Sequence, residues 1–346
     1  MRAGNNPAKS ASEVSGYGRH RVILPIYIPN FEGYFEHALE VLQLCLTSLR
    51  HTAAERAAIT LIANGCHPAV SEELQRQFEE GWINQLLLNQ INRGKTDAVV
   101  AAARGSFEPL VTIADSDVLF RPGWLEAVDE MFEAFPEAGF VSPFPSASGL
   151  RYNTSATFLE ALVRRELRFE KVVLDEDLDR FAQSIGQPNF FQSEFRAAQL
   201  IVRRRHITAC VGAGHFVFTA RREVINGMPP EPSLRALDGT ADQFWLDVPG
   251  DVLGFWRLST PQAYVNHMGN YPEKWMHEEL AETLQQPIPA SRTQATLPSI
   301  PWRWPRWVPL RLRRKLLQGT KREWVQQIVY RHLGYPLTAA AKLKLS

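Results

Sequence analysis

Cysteine is scarce in this chain of 346 residues: Cys45, Cys66 and Cys210 are the only three, odd in number and far apart. That excludes a disulfide scaffold and a cysteine-built zinc cluster, and it points to a reducing compartment. Long apolar runs are missing too. No window approaches the roughly 18 consecutive apolar residues that a membrane span needs. The stretch from Met1 to His20 is polar and lacks an apolar centre, so no secretory signal is expected there. Its Ser, Gly and Asn predict a flexible leader over residues 1–20. There is no internal repeat. No compositional bias is present either: 45% hydrophobic and 22% charged residues exclude a disordered or collagen-like chain. The length suits one large domain or two ordinary ones.

The net charge is +1, but its distribution is uneven. From Ser291 to Ser346 there are twelve Lys/Arg and one acidic residue, Glu323, a net of +11 that leaves −10 for the other 290 residues. A basic tail on a mildly acidic body implies that the tail meets something anionic. Four of the nine tryptophans also lie there. Trp302-Arg303-Trp304-Pro305-Arg306-Trp307, then Arg311 to Lys315, interleaves aromatics and cations. Trp suits a lipid headgroup layer and Arg/Lys suit anionic lipid. Trp324, Val325, Ile328, Val329 and Leu333 mark one face of a further helix. Nucleic acid would also suit this charge. The acidic body and the lack of any nucleic-acid-binding module favour the membrane surface. A partner protein or oligomer arm is the third alternative.

Short apolar runs alternate with helical patterns from Arg21 onward. Val22–Ile28, Ile59–Ala63, Gln85–Leu88 and Leu110–Ala114 predict four buried strands. Between them, Phe35, Leu39, Leu42, Leu46 and Leu49 recur at helical spacing. Leu74 and Phe78 mark a second helix opened by Pro68 and Ser71, and an alanine-rich helix spans Asp97–Ala103. This alternation predicts an α/β fold, a mostly parallel sheet with helices on both faces. Ligands of such sheets bind at the carboxyl ends of the strands. Asn30, Asn64 and Asp115–Asp117 all fall at such ends, so one crevice should collect them. Gly139–Val141 predicts another strand. Tyr152–Arg205 has a charged, mostly helical pattern, and Ala209–Ala220 reads as one glycine-punctuated strand.

The sharpest chemical signal is Asp115-Ser116-Asp117. Two carboxylates one residue apart point the same way on extended backbone. At a strand end they form a hard oxygen site suited to Mg²⁺ or Mn²⁺ together with substrate phosphates. The alternative is a helix-capping turn.

Ile23-Leu24-Pro25-Ile26-Tyr27, the strand ending at Asn64, Gly94-Lys95, Asp115-Ser116-Asp117 and Pro122-Gly123-Trp124 follow one another in an order that resembles a GT-A fold glycosyltransferase, most similar to glycosyltransferase family 2. The resemblance covers residues 21–142 well and runs more loosely to about 270. It implies a Rossmann-like sheet that binds a nucleotide-diphospho-sugar, UDP- or GDP-linked. Asp115 and Asp117 match the family's Asp-x-Asp pair, which holds Mn²⁺ or Mg²⁺ on the diphosphate and contacts the ribose. Pro25 to Tyr27 and Asn64 match the wall around the base, although the family often has Asp at the Asn64 position. Arg93 or Lys95 would sit near the diphosphate.

The resemblance also implies an acceptor-side base, which takes the proton of the attacking hydroxyl. Asp242, in Asp238-Gly-Thr-Ala-Asp242-Gln-Phe-Trp-Leu-Asp247, fits best, with Asp238 and Asp247 as alternatives. The family's usual Glu before this Asp is Ala241 here. His267 stands where many GT-A enzymes complete the metal site with imidazole. Gly212-Ala213-Gly214-His215 matches the backbone near donor sugar and acceptor, with Gly214 permitting close approach. Trp245 and Trp256 could stack on sugar; core packing is the alternative.

The expected organisation is a leader over 1–20, a nucleotide-sugar half over 21–142, an acceptor-side half over 143–286 with a helical insertion at 151–205, and a basic, helical C-terminal tail over 287–346. The expected activity is metal-dependent, inverting sugar transfer to a glycan or lipid-linked acceptor, in the cytoplasm or on the inner face of the membrane, for surface glycan or glycolipid synthesis. The rivals are a catalytically silent nucleotide-sugar-binding scaffold and a nucleotidyltransferase. The latter needs a glycine-rich basic loop after the first strand, where this chain has Pro29-Asn30-Phe31-Glu32-Gly33. A methyltransferase is less favoured, because no glycine-rich loop follows the first strand.

Overall fold

A computed structural model describes residues 17–53, 55–147, 152–235, 241–288, 297–319 and 332–334. The leader up to residue 16, Asp238 and the helical face from Trp324 to Val329 lie outside the described residues. The strands are β1 (His20–Ile26), β2 (Ala57–Asn64), β3 (Gln85–Asn89), β4 (Leu110–Ala114), β5 (Val118–Phe120), β6 (Ala138–Ser142), β7 (Leu167–Glu170), β8 (Gln199–Arg204), β9 (Ile207–Val211), β10 (Val217–Arg221), β11 (Trp256–Ser259) and β12 (Val265–His267). The α-helices are α1 (Ala38–Ala53), α2 (Pro68–Glu79), α3 (Lys95–Arg104), α4 (Trp124–Ala134), α5 (Ser155–Val163), α6 (Asp175–Ser184), α7 (Ser193–Ala197), α8 (Arg222–Asn226), α9 (Val248–Val252), α10 (Lys274–Gln285) and α11 (Leu310–Gly319).

Ten strands form one sheet in the order β3-β2-β1-β4-β10-β6-β11-β9-β8-β7, and β12 pairs with β5 in a second. β1, β2, β3 and β4 are mutually parallel, and β10 enters antiparallel between β4 and β6. With β11 parallel to β6 and β9 reversing between β11 and β8, most strands share one direction.

The continuous apolar runs of β1, β2 and β4 are buried on both faces, as parallel strands require. β3, expected to be buried as well, is the edge strand and only half-covered, with Leu88 exposed. Val22, Leu24 and Ile26 of β1 pack with α1 and α4 residues such as Leu42, Leu49 and Trp124. Ile23, on the opposite face, packs with Val99 of α3 and Val224 of α8. Helices therefore cover both faces of an α/β sheet, as the sequence pattern predicts.

Two expectations change. Residues 151–205 were expected to be helical, but β7 and β8 lie among the helices and extend the sheet edge. In β7 the alternation Leu-Arg-Phe-Glu places only Leu167 fully inside, and in β8 an apolar run is followed by Arg203 and Arg204. Dense charge hid a period of two. The expected single strand at Ala209–Ala220 is two strands, β9 and β10, split by the glycine segment. Gly212 has φ 118°, which ends β9 and turns the chain.

The three cysteines are free. Cys45 and Cys210 are buried, and burial pushes the Cys210 thiol up to about 12. No described helix is long and apolar enough to cross a membrane. In the tail, α11 is helical as expected.

Candidate active site

β1 is the point where the strand order reverses: the chain passes outward to β2 and β3, then returns to β4 on the other side. A crevice opens outside the carboxyl ends of strands at such a point. Ile26 pairs with Ala63 and Asn64 with Asn89, so these ends lie level. A pocket of about 640 Å³ lies there, lined by Pro25, Tyr27, Asn64, Lys95, Asp115 and Asp117 among others. Six of the residues singled out in the sequence thus share one cavity. Asn30 does not join them; it is exposed, and its Oδ1 accepts from the Glu32 amide at 3.1 Å.

Asp115 follows β4, and its amide donates to the Phe216 carbonyl at 2.7 Å. Asp117 precedes β5. Antiparallel pairing sets His267 of β12 opposite Val118, which brings the imidazole to Asp117. His267 Nε2 lies 3.4 Å from Asp117 Oδ2. On the other ring nitrogen, Nδ1 is 2.9 Å from Ser184 Oγ, whose proton goes to the Phe181 carbonyl at 2.8 Å. Ser184 therefore accepts from Nδ1, and Nε2 presents its lone pair in the neutral ring. Asp117 Oδ1 is shielded from solvent and has no hydrogen-bond partner. Burial, reinforced by Asp115 and opposed by His267 and Lys95, holds the Asp117 carboxyl above the ordinary aspartate range.

Among the described residues no three His, Cys, Asp or Glu side chains form a ready metal cage. The donor set nonetheless fits a divalent ion shared with substrate phosphates: an orphaned carboxylate oxygen, a fixed imidazole lone pair, and few protein ligands.

Lys95 opens α3, and its ammonium contacts Asp115 Oδ1. Burial disfavours this charge, but Asp115, Asp242 and Asp117 outweigh it and hold the lysine above its usual value. Asp242 lies outside the pocket lining, but its charge acts on Lys95. Thr96, the next residue of α3, donates its hydroxyl to Asp242 Oδ1 at 2.7 Å. Asp242 starts a π-helical turn, Asp242–Asp247. Such wide turns occur often at functional sites. Neither the π turn nor Thr96 is signalled by sequence spacing.

Asn64 is 2% exposed. Its Oδ1 accepts from Asn89 Nδ2 at 3.0 Å and the Arg93 amide at 3.1 Å, and its Nδ2 donates to Asn92 Oδ1 at 2.9 Å. The side chain braces the loop from Asn89 to Gly94 while it lines the pocket. Gly65 lets that loop pass: at φ 78°, a Cβ would lie 2.5 Å from the Asn92 nitrogen.

Tyr34 and Phe35 also line the pocket and were missed as site residues; Phe35 shows in the sequence only as a helix position. The rings of Tyr27 and Phe35 meet edge-on at 5.8 Å, and those of Tyr34 and Phe35 at 5.2 Å. Burial first, then the charges of Asp117 and Asp115, raises the Tyr34 pKa. Asn270 joins from the other side, donating to the Tyr34 carbonyl at 3.0 Å.

Other candidates fall elsewhere. Gly214 lies outside the pocket lining, in the β9–β10 connection, and a Cβ there would meet only the Phe216 ring at 3.7 Å. Arg93 is exposed. Asp247 is 1% exposed, paired with Arg257 Nη1 at 2.6 Å and His215 Nε2 at 3.2 Å, a structural setting for a carboxylate. Trp256 is fully buried and donates to Glu160 Oε2 at 2.8 Å, which is core packing. Trp245 is tied by its indole to the Glu231 carbonyl at 2.7 Å.

No curated protein matches the chain. Among solved structures, similarity extends to a mannosyltransferase, PcManGT, from Pyrobaculum calidifontis in complex with GDP-Man and Mn²⁺: 14% identity, TM-score 0.41, covering 78% of this chain and 63% of that one. It extends also to S. aureus TarS 1–349 in complex with UDP-GlcNAc: 13% identity, TM-score 0.29, covering 37% of this chain and 34% of that one. The chain thus spans less than two thirds of the length of either. A family model described as "Glycosyl transferase family 2" matches residues 26–180, the segment that runs from the last residue of β1 past β4 and carries the Asp115–Asp117 pair. Residues 26–180, fewer than half of the chain, thus resemble a glycosyl transferase family 2 domain.

Proposed function

We propose that the chain transfers a sugar from a nucleoside-diphosphate donor to an acceptor hydroxyl, with inversion and with a divalent cation. The observation that carries this reading is the shielded, unpaired Asp117 Oδ1 beside His267 Nε2 at the pocket edge. Asp115 and Asp117 line the pocket with a single lysine, Lys95, and the carboxylate of Asp242 acts on that same lysine. A diphosphate would meet net repulsion there unless a cation came with it. Asp117 and His267, with Asp115, would hold Mn²⁺ or Mg²⁺. When bound, that ion supplies Lewis-acid stabilisation of the departing diphosphate.

The chain's own residues do the rest. Tyr27, Pro25 and Asn64 wall the base, and Lys95 offsets charge beside the diphosphate. Asp242 is the base: it removes the acceptor hydroxyl's proton as that oxygen bonds to the anomeric carbon. The bond from that carbon to the diphosphate oxygen breaks, and its electron pair leaves with the nucleoside diphosphate. Thr96 holds Asp242 Oδ1, so Oδ2 takes the proton. Attack from the face opposite the leaving group inverts the centre. We further propose a glycan or lipid-linked acceptor, for surface glycan or glycolipid synthesis on the cytoplasmic side.

The test is release of UDP or GDP from a panel of donor sugars, with Mn²⁺, by wild type and Asp242→Asn. Release by wild type that drops in the variant supports the reading. No release from any donor would move the assignment to a nucleotide-sugar-binding scaffold, for which Ala241 in place of the family's Glu speaks. Pyrophosphate release from a nucleoside triphosphate would make it a nucleotidyltransferase.

A further inference from the structure

We propose that the segment from Trp302 to Leu316 is a rigidly seated membrane-docking face, whose occupant is an anionic lipid bilayer. Residues 297–319 contain six Lys/Arg and no acidic residue. Two of those cations face inward. Arg303 is 5% exposed; it pairs with Glu160 and donates from Nη2 to the Gly254 carbonyl at 2.8 Å. Arg313 is 2% exposed; its Nη1 donates to the Asp251 carbonyl at 2.6 Å and pairs with Asp251 Oδ1 at 3.2 Å. Between them the chain lies directly on the body: a Cβ on Gly254 would meet the Arg306 nitrogen at 2.8 Å. The segment is docked, with buried anchors at both ends.

What it turns outward is unusual for a seated segment. Trp302 is 73% exposed, Trp307 64%, Leu312 49% and Leu316 50%. Arg306, Arg311 and Lys315 are exposed as well. Leu312 and Leu316 are one helical turn apart on α11, and Arg311 and Lys315 form the adjoining row. Indole rings belong at a headgroup layer, and apolar side chains just below it. Cations near an anionic leaflet contribute only about 1 kcal/mol each, so charge alone is too weak and the apolar residues are the needed second signal. Nucleic acid would occupy the cations but leave Leu312 and Leu316 bare. A bilayer uses both sets. This inference does not depend on the sugar-transfer reading, since neither the face nor its test involves the donor pocket.

The experiment is co-sedimentation of the full chain with vesicles of phosphatidylcholine, alone or mixed with phosphatidylglycerol. Binding to the mixed vesicles, weakened by salt, is expected, with little to phosphatidylcholine alone. Arg311→Glu with Lys315→Glu should weaken it at least about thirtyfold. Trp302→Ser with Trp307→Ser should weaken it about tenfold. Because all four side chains are exposed, both variants should keep the wild-type circular dichroism and thermal midpoint. Absence of vesicle binding by wild type overturns the proposal. So does undiminished binding by the folded double variants, which would put the contact elsewhere in the tail. Binding to mixed-sequence duplex DNA without binding to vesicles would assign the face to nucleic acid instead.

Discussion

Thr96 donates a hydrogen bond to Asp242 at 2.7 Å, across 146 residues of sequence. The contact ties the first turn of α3, which also carries Lys95, to the π turn at Asp242–Asp247.

Asp242→Asn should therefore leave nucleotide binding nearly intact and lower kcat by about a hundredfold to ten-thousandfold. Thr96→Val should cost less, about 1.5–3 kcal/mol in the transition state, because it removes one charge-assisted bond and leaves the carboxylate in place. Steady-state kinetics beside donor titrations check both. An Asp242→Asn enzyme with wild-type kcat would remove this residue from the chemistry.

Asp247 was the other described candidate for the base, and the prediction for it is different in kind. Its carboxylate is buried against Arg257. Asp247→Ala strands that guanidinium, and breaking a buried pair costs about 3–5 kcal/mol of stability. Urea denaturation should show the loss. If the variant keeps its stability and loses activity alone, Asp247 is the base and Asp242 is not.

Gly65 and Gly81 both have φ near 80°, but only Gly65 faces a close neighbour. Gly81→Ala should cost about 1 kcal/mol, from backbone strain alone. Gly65→Ala adds a collision with the Asn92 backbone, so it should cost more, and it should weaken nucleotide binding because Asn92 lines the pocket. Equal effects of the two substitutions, in denaturation and in binding, would contradict the bracing role given to the loop from Asn89 to Gly94.

Much of this architecture is legible in sequence because β1, β2 and β4 are buried on both faces and write themselves as plain apolar runs. Their ends then place Asn64, Asp115 and Asp117 by topology alone. β7 and β8 are less legible, since one carries charge on alternate residues and the other ends in arginines. Tyr34 belongs to no periodic series, and Phe35 reads in the sequence only as the first position of a helical one. Ser184 reaches His267, and Thr96 reaches Asp242, only through tertiary folding, which leaves no spacing to detect. The π turn at Asp242 differs from an α-helix by hydrogen-bond register, and no residue pattern marks it.

The central claim is that Asp117 and His267 form a cation site shared with a nucleoside diphosphate. Calorimetric titration of UDP and of GDP into wild type and Asp117→Asn, with and without Mn²⁺, tests it most directly. One of the two nucleotides should bind wild type in a Mn²⁺-dependent way, and the substitution should abolish the Mn²⁺ dependence in a protein that stays folded. Failure of both nucleotides to bind folded wild type in Mn²⁺, or binding unchanged by Asp117→Asn, would contradict it.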